Sequence, residues 1–247
     1  MTESEQAPFS EAQVAEYFRE GYLIARELVP SRRLDALMSA IGAIDIEPGG
    51  RWTPQVFHRE DPTRDASDHQ LLTEPNVVAA VEQLLAAPAM VLYGMVAVVP
   101  AKGGSGLAWH QDNQYSHVLG RALNVFVALR DIDDDMANLW IAPRSHVIGV
   151  QASRTDEGHR ELTFEPDNGS PVGPLNAGDA VIFDRYTAHR SLKNLTDRHR
   201  YAYAAQYCER KARLADTGKP NPQWVPVDEL RRTWETHGLS SAVASPA

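Results

Sequence analysis

The chain has 247 residues, enough for one large domain, and its hydrophobic (43%) and charged (23%) fractions are those of a globular protein. Its net charge of −9 comes without long charged blocks, which argues against nucleic acid or an anionic membrane as a partner. The single cysteine, Cys208, excludes an intrachain disulfide, and no apolar run approaches the length that spans a bilayer. Because the first residues also lack the order of a signal peptide, we predict a cytoplasmic protein without a membrane partner.

The first third of the chain predicts helices. A helix capped by Ser10 and ended by Gly21 is followed by a short strand at residues 22–25. A second helix begins at Ser31, and a third covers residues 77–85, because apolar residues recur on one helical face. These helices are expected to flank the rest of the domain.

The polar segment from Gly49 to about Asp68 predicts an irregular loop. Its members Trp52, Phe57, His58 and Arg59 are candidates for a lid over a substrate, and a role in packing is an equally open alternative.

From residue 90 onwards the chain becomes β-prone. Buried-type runs are separated by turn residues and occupy 91–99, 122–129, 139–141, 180–183 and 201–207. Helices followed by many short strands favour an antiparallel barrel or sandwich over a Rossmann-like sheet. We therefore predict one domain over residues 1–238, with a helical part at 9–88, a β-core at about 90–208, and a disordered tail at 239–247.

His110 and Asp112 are separated by one residue. On a β-strand, residues at i and i+2 point to the same face, so both side chains can reach one metal ion. His189, which follows the apolar run 180–183, offers a third ligand, and two histidines with one carboxylate form the facial triad of non-haem Fe(II) oxygenases. Taken alone, the spacing also fits a hydrogen-bonded pair and a histidine buried in the core.

Arg200 lies eleven residues after His189 and enters the last β-prone run. A guanidinium pairs with a carboxylate through two parallel hydrogen bonds, so this arginine can hold the far carboxylate of an acid cosubstrate that chelates the metal. Ser191 offers a hydroxyl donor to the same carboxylate. The pattern predicts a metal site with an acidic cosubstrate.

Several motifs stand together in order. They are F-R-E-G-Y-L-I at 18–24, W-H-Q-D at 109–112, N-L-W-I-A-P-R-S-H at 138–146, G-D-A-V-I-F at 178–183, and His189-x-Ser191 with Asn194 and Arg200. With these motifs the chain resembles the phytanoyl-CoA dioxygenase family of Fe(II)/2-oxoglutarate-dependent oxygenases, over roughly residues 9–207. The resemblance implies a mainly β fold with flanking helices and a double-stranded β-helix core, the cupin-like jelly roll.

The resemblance also implies the site. Fe(II) is held by His110, Asp112 and His189, and Arg200 with Ser191 binds the distal carboxylate of 2-oxoglutarate. The implied reaction uses O₂ and oxidises a C–H bond of a small molecule, with release of succinate and CO₂. Hydroxylation in specialised metabolism is the expected outcome.

Two further positions, Gln111 and Met95, match residues that border the cosubstrate in relatives. Halogenating relatives lack the carboxylate that Asp112 supplies, which disfavours halogenation. His117 and His199 stand at odd spacing from the motif residues and are not expected to be ligands.

The chain departs from the family pattern at three places. Arg144 replaces a glycine in a P-G-S-H turn, Phe126 stands where some members have tryptophan, and residues 52–57 contain no lysine. These departures leave the substrate open, and the sequence does not reveal the oligomeric state. Two alternatives also remain, a cupin-like metal enzyme that does not use 2-oxoglutarate and a non-catalytic small-molecule-binding protein of the same fold. Arg200 and Ser191 discriminate against the first alternative.

Overall fold

The computed structural model describes residues 7–41, 46–51 and 53–239. The helices in this part of the chain are α1 (Glu11–Glu20), α2 (Ser31–Ile41), α3 (Pro75–Leu85) and α4 (Val227–Thr236). The strands are β1 (Tyr22–Ala25), β2 (Thr53–Val56), β3 (Ala89–Val99), β4 (Val118–Leu119), β5 (Ala122–Ala128), β6 (Leu139–Ile141), β7 (Ser153–Asp156), β8 (His159–Leu162), β9 (Ser170–Pro171), β10 (Ala180–Asp184), β11 (His189–Ser191), β12 (Arg200–Glu209), β13 (Arg213–Leu214) and β14 (Val225–Pro226).

The ends of α1 follow from its sequence. The Ser10 hydroxyl accepts a hydrogen bond from the Gln13 backbone N–H, and the Gln13 side chain bonds back to the Ser10 N–H, which forms the capping box. The helix ends at Gly21, whose φ of +82° and close contact with Thr187 leave no room for a Cβ. Both predicted ends of this helix are confirmed.

Other helices differ from the prediction in extent or were missed. Helix α3 begins at Pro75, two residues before the predicted start, because proline is favoured in the first turn of a helix. Helix α4 was not predicted. It is amphipathic and buries Leu230 and Trp234, and the Trp234 Nε1 donates to the Pro62 carbonyl.

Two antiparallel sheets face each other. The larger has seven strands in the order β1-β10-β5-β12-β3-β14, with β2 paired to β3, and the smaller has the order β11-β6-β9. This arrangement confirms the predicted jelly-roll core. Three strands of the larger sheet, β1, β2 and β14, lie outside the predicted β-core at residues 90–208. Strand β2 lies in the segment that was predicted to be irregular, and it pairs with the edge of β3.

The two faces of the larger sheet have different neighbours. Leu123 and Val127 on β5 point to a large apolar cluster formed with the helices, whereas Phe126 points to the interior between the sheets. There it packs with Ile141 of the smaller sheet. The strict alternation along β5 positions every second residue toward that interior, which contains the candidate site.

The predicted disordered tail begins with an ordered residue. The Leu239 N–H donates to the Trp234 carbonyl over 2.7 Å, and the Leu239 carbonyl accepts from Gln70. The rest of that tail, 240–247, and Trp52 of the predicted lid lie outside the described residues. Within the described chain, the helices are too short and too polar to cross a membrane.

Candidate metal centre

Three predicted ligands converge between the two sheets. His110 and His189 exchange two backbone hydrogen bonds of 3.0 Å, and their rings lie 4.2 Å apart. The Asp112 Oδ2 lies 3.8 Å from the His189 Nε2. Potential ligand atoms of all three residues lie within 4.8 Å of one another. The spacing fits two imidazoles and one carboxylate around a single metal ion.

The sequence predicted that His110 and Asp112 lie on a regular β-strand, and this prediction is wrong. His110 makes a single β-bridge to His189, and Asp112 begins a short 3-10 helix, Asp112–Gln114. Gln111 between them is extended, with φ −121° and ψ 136°, which keeps its two neighbours on one side.

The same geometry corrects the prediction for Gln111. Its side chain points away from the two ligands and is fully buried, and its Nε2 donates to the carbonyls of Gly149 and Tyr186. Gln111 therefore braces the loops behind the ligands and does not line a cavity at the triad.

Backbone carbonyls fix the protonation of both histidines. The Nδ1 of His110 lies 2.7 Å from the Ala108 carbonyl, and that of His189 lies 3.0 Å from the Thr187 carbonyl. A carbonyl can only accept, so each Nδ1 carries the proton and each Nε2 is left as a ligand atom. Burial, aided by the neighbouring His110, lowers the pKa of His189 to about 4, which keeps it in the neutral form that binds metals.

Arg185 braces the Asp112 segment from behind. Its Nη2 donates to the Asp112 carbonyl over 3.0 Å, its Nε donates to Asn113 Oδ1, and its Nη1 donates to Gln206 Oε1. The side chain is buried and links β12 to the segment that carries two ligands. Sequence reasoning assigned it no role, although an arginine directly after the buried run 180–184 was a signal for a buried polar hub.

An inner cavity of about 110 Å³ starts at the triad and is also lined by Met95, Ser191 and Arg200. The buried Arg200 guanidinium donates from Nη1 to the Ala137 carbonyl over 3.0 Å, and its Nε has no partner. No carboxylate in the described part of the chain forms an ion pair with it, and burial lowers its pKa to about 10. A buried cation without a counter-ion is unfavourable unless a ligand supplies the negative charge.

Ser191 and Gly106 complete the inner cavity. The Ser191 Oγ accepts from the Leu107 N–H over 3.2 Å, which leaves its hydroxyl hydrogen available to a ligand. A Cβ at Gly106 would overlap this Oγ, so glycine is required for the close approach. The predicted positions of Met95, Ser191 and Arg200 thus share one cavity with the triad. The ligand atoms of the triad fit a divalent metal, and the hydrogen-bond donors of Ser191 and Arg200 fit an acidic chelator of that metal.

Asn124 and Gln206 also line the inner cavity and were not predicted. Neither amide atom of Asn124 has a hydrogen-bond partner among the described residues, and the side chain is buried. Their positions at alternate residues of two β-prone runs were the available signal.

An outer cavity of about 420 Å³ adjoins the inner one at His110 and Asp112. Met95 and Tyr93 also line both cavities, whereas Trp224 lines only the outer one of the two. The candidate metal position thus borders a small cavity that a buried cation lines and a larger cavity able to hold a small molecule.

The two other histidines near the motifs have separate structural partners. The Nε2 of His117 lies 2.7 Å from the Tyr186 hydroxyl, and the Nδ1 of His199 accepts from the Ala101 N–H. Neither belongs to the triad, in agreement with the prediction.

Arg144 takes the glycine-like conformation of the turn it occupies, with φ +64°. Its guanidinium forms two hydrogen bonds to Glu20, of 2.8 and 3.0 Å, and lowers the pKa of that carboxyl to about 2. This contact fastens the left-handed turn to the end of α1.

Known proteins with similar sequences include members of the family that the sequence motifs resemble. Residues 17–202 match the family described as Phytanoyl-CoA dioxygenase (PhyH). The chain is 32% identical over 192 residues to Phytanoyl-CoA dioxygenase domain-containing protein 1 of Rattus norvegicus, covering 73% of this chain and 61% of that protein. It is 26% identical over 149 residues to the ectoine dioxygenase of Streptomyces avermitilis, covering 51% of this chain and 50% of that protein. The chain therefore spans less than two thirds of either relative.

A solved structure with a similar fold is that of EvdO2 from Micromonospora carbonacea var. aurantiaca, complexed with 2-oxoglutarate. The two superpose with a TM-score of 0.71 at 19% identity, over 87% of this chain and 96% of that one. At this identity the likeness establishes the shared fold.

Proposed function

Because the chain belongs to the phytanoyl-CoA dioxygenase family, we propose that it is an Fe(II)/2-oxoglutarate-dependent oxygenase that hydroxylates a C–H bond of a small molecule. The proposed domain covers residues 1–238. His110, Asp112 and His189 would hold the iron through two Nε2 atoms and a carboxylate. Bound Fe(II), with 2-oxoglutarate and O₂, supplies the oxidation of the C–H bond and the release of succinate and CO₂.

The protein's own residues position and shield the reactants. Arg200 pairs with the distal carboxylate of 2-oxoglutarate, and the Ser191 hydroxyl donates to the same group. The Ala108 and Thr187 carbonyls hold the two imidazole rings in the ligand tautomer. Arg185 keeps the Asp112 segment in place, and the outer cavity receives the substrate next to the triad.

One observation carries this proposal: the buried guanidinium of Arg200, which has no carboxylate partner among the described residues, lines the same cavity as the triad. A metal enzyme that does not use an acidic cosubstrate has no need for this charge, and burying it would only destabilise the fold. The intact triad speaks against a binding protein that retains the fold without turnover.

The test is calorimetric titration of 2-oxoglutarate into the protein with and without Fe(II) under anaerobic conditions, followed by an aerobic assay for succinate. We expect 2-oxoglutarate to bind only with metal, and Asp112→Ala to abolish this binding. Asp134→Ala, in an exposed acidic run away from the triad, is the matched control. Absence of metal-dependent 2-oxoglutarate binding by the wild-type protein would contradict the proposal.

A further inference from the structure

The outer cavity has an unusual balance of charge for an acidic protein. Arg59 and Arg185 line it, and the only acidic side chain in its described lining is the proposed iron ligand Asp112. With a divalent metal in place, the charges around this cavity sum to a positive value, although the chain as a whole carries −9. From this balance we propose that the substrate carries an acidic oxygen group, a carboxylate or a phosphate, that Arg59 binds. This inference rests on the proposed function.

Arg59 has hydrogen-bonding capacity to spare. Its Nη1 donates to the Leu92 carbonyl over 2.9 Å, which holds the half-buried side chain against β3. No carboxylate among the described residues lies within ion-pair distance of it, whereas Arg154 and Arg190 pair with acidic residues. Its Nε and Nη2 are therefore available to a planar or tetrahedral oxyanion.

The adjacent Glu60 does not neutralise Arg59 by direct contact. Its carboxylate lies 3.2 Å from the Nδ1 of His58, and its side chain is exposed and does not line the cavity. Screening by water weakens its remaining attraction to Arg59.

Neutral donors add to the positive charge. Within the described structure, the indole N–H of Trp224 has no acceptor, and this residue lines the outer cavity. The Gln206 Oε1 is occupied by Arg185, so the amide nitrogen is the atom that remains for a ligand. These donors favour a ligand rich in acceptor oxygens.

In the outer cavity, the residue proposed to bind the acidic group, Arg59, is a different residue from the proposed metal ligands. Arg59 and Trp224 line the same cavity as His110 and Asp112, and its volume of about 420 Å³ suits a small molecule. An anion held by Arg59 leaves another part of the molecule to lie next to the metal. Arg200 lines only the inner cavity of the two, so the proposed cosubstrate and the substrate's acidic group have different arginine partners.

The experiment uses protein loaded with Mn(II) and saturating 2-oxoglutarate, since paramagnetic Mn(II) broadens the NMR signals of molecules bound close to it. The probes are fluorinated carboxylates and phosphates of graded size, each with a neutral counterpart, an amide or an alcohol. We expect acids to be broadened more than their counterparts, and Arg59→Gln to weaken their binding at least tenfold. Arg59→Lys, which keeps the charge without the planar fork, should bind with intermediate affinity.

Arg130→Gln is the matched control, because Arg130 is exposed and lines neither cavity at the triad. It should leave the binding of the acids unchanged. Comparison of carboxylate and phosphate probes identifies the acidic group. The inference is overturned if no acid binds better than its neutral counterpart, or if Arg59→Gln leaves acid binding unaffected. The affinity for 2-oxoglutarate is also measured for the wild type and each variant. If the wild-type protein does not bind 2-oxoglutarate, the proposed function is contradicted, and not this inference alone.

Discussion

The two faces of the seven-stranded sheet satisfy their polar groups differently. On the helix-covered face, the Tyr203 hydroxyl bonds to His69 over 2.9 Å, and the Tyr207 hydroxyl donates to the Leu72 carbonyl. On the cavity face, Asn124 and Arg200 are buried with unpaired polar atoms. The first face therefore stabilises the fold, and the second retains unfavourable groups whose partners are expected to be ligands.

The largest effect should follow from Arg200→Met on the cavity face. Removing the charge that we propose pairs with the distal carboxylate should weaken 2-oxoglutarate binding at least about 100-fold. The free energy of unfolding without ligand should stay the same or rise, because an unpaired buried charge is lost. Calorimetric titration and urea unfolding of the metal-free protein measure the two quantities. A large loss of stability would contradict the view that this charge is uncompensated.

The opposite result is expected on the helix-covered face. Leu123→Ala opens a cavity in the apolar cluster and should lower the free energy of unfolding by about 2–4 kcal/mol. The folded fraction should still bind 2-oxoglutarate with nearly wild-type affinity. Urea unfolding and titration at low temperature measure this, and a comparable loss of affinity would show that the two faces are not separable.

The polar pair on the helix-covered face predicts a pH dependence. Burial lowers the pKa of His69 to about 4, below its ordinary value of 6.5, so the unfolded state binds more protons in this range. This contribution to stability is complete above pH 6.5 and is lost as the pH falls toward 4, by about 1–3 kcal/mol. His69→Gln should remove that part of the pH dependence in unfolding of the metal-free protein.

Exposed His237 provides the matched control for this measurement. His237→Gln should keep the wild-type pH dependence between 6.5 and 4. An unchanged pH dependence in His69→Gln would show that this histidine is not held neutral.

A smaller effect distinguishes two buried asparagines. Asn124→Leu should raise the stability of the metal-free protein by about 1 kcal/mol, because it removes an unsatisfied amide. Asn138→Leu should lower it, since the Asn138 amide donates to the Gly173 carbonyl and accepts from the Leu139 N–H, both over 2.7 Å. Thermal unfolding of both variants compares them directly, and destabilisation by Asn124→Leu would mean that its amide is satisfied after all.

Much of the fold could be predicted from local patterns. Ser10 and Gly21 mark the ends of α1 because capping and left-handed conformations depend on single residue types. The strand β2 could not be predicted, since polar residues and Pro54 form it only by pairing with the edge of β3. Helix α4 has a periodic apolar face beyond the last β-prone run, so its pattern was visible in the sequence although the helix was not predicted.

The site shows the same division between local and tertiary information. The shared face of His110 and Asp112 follows from one extended residue between them, and the same rule placed Gln111 on the opposite face. Contacts distant in sequence, such as that of Arg185 with Gln206, depend on how the strands meet and were not visible in the sequence.

We propose that Arg200 holds the distal carboxylate of 2-oxoglutarate bound next to the His110–Asp112–His189 triad. The most direct measurement compares the affinities of the metal-loaded protein for 2-oxoglutarate and for 2-oxovalerate, which lacks that carboxylate, in wild type and Arg200→Met. We expect a preference for 2-oxoglutarate of at least about 100-fold in the wild type and nearly equal affinities in the variant. The same preference in both proteins would contradict it.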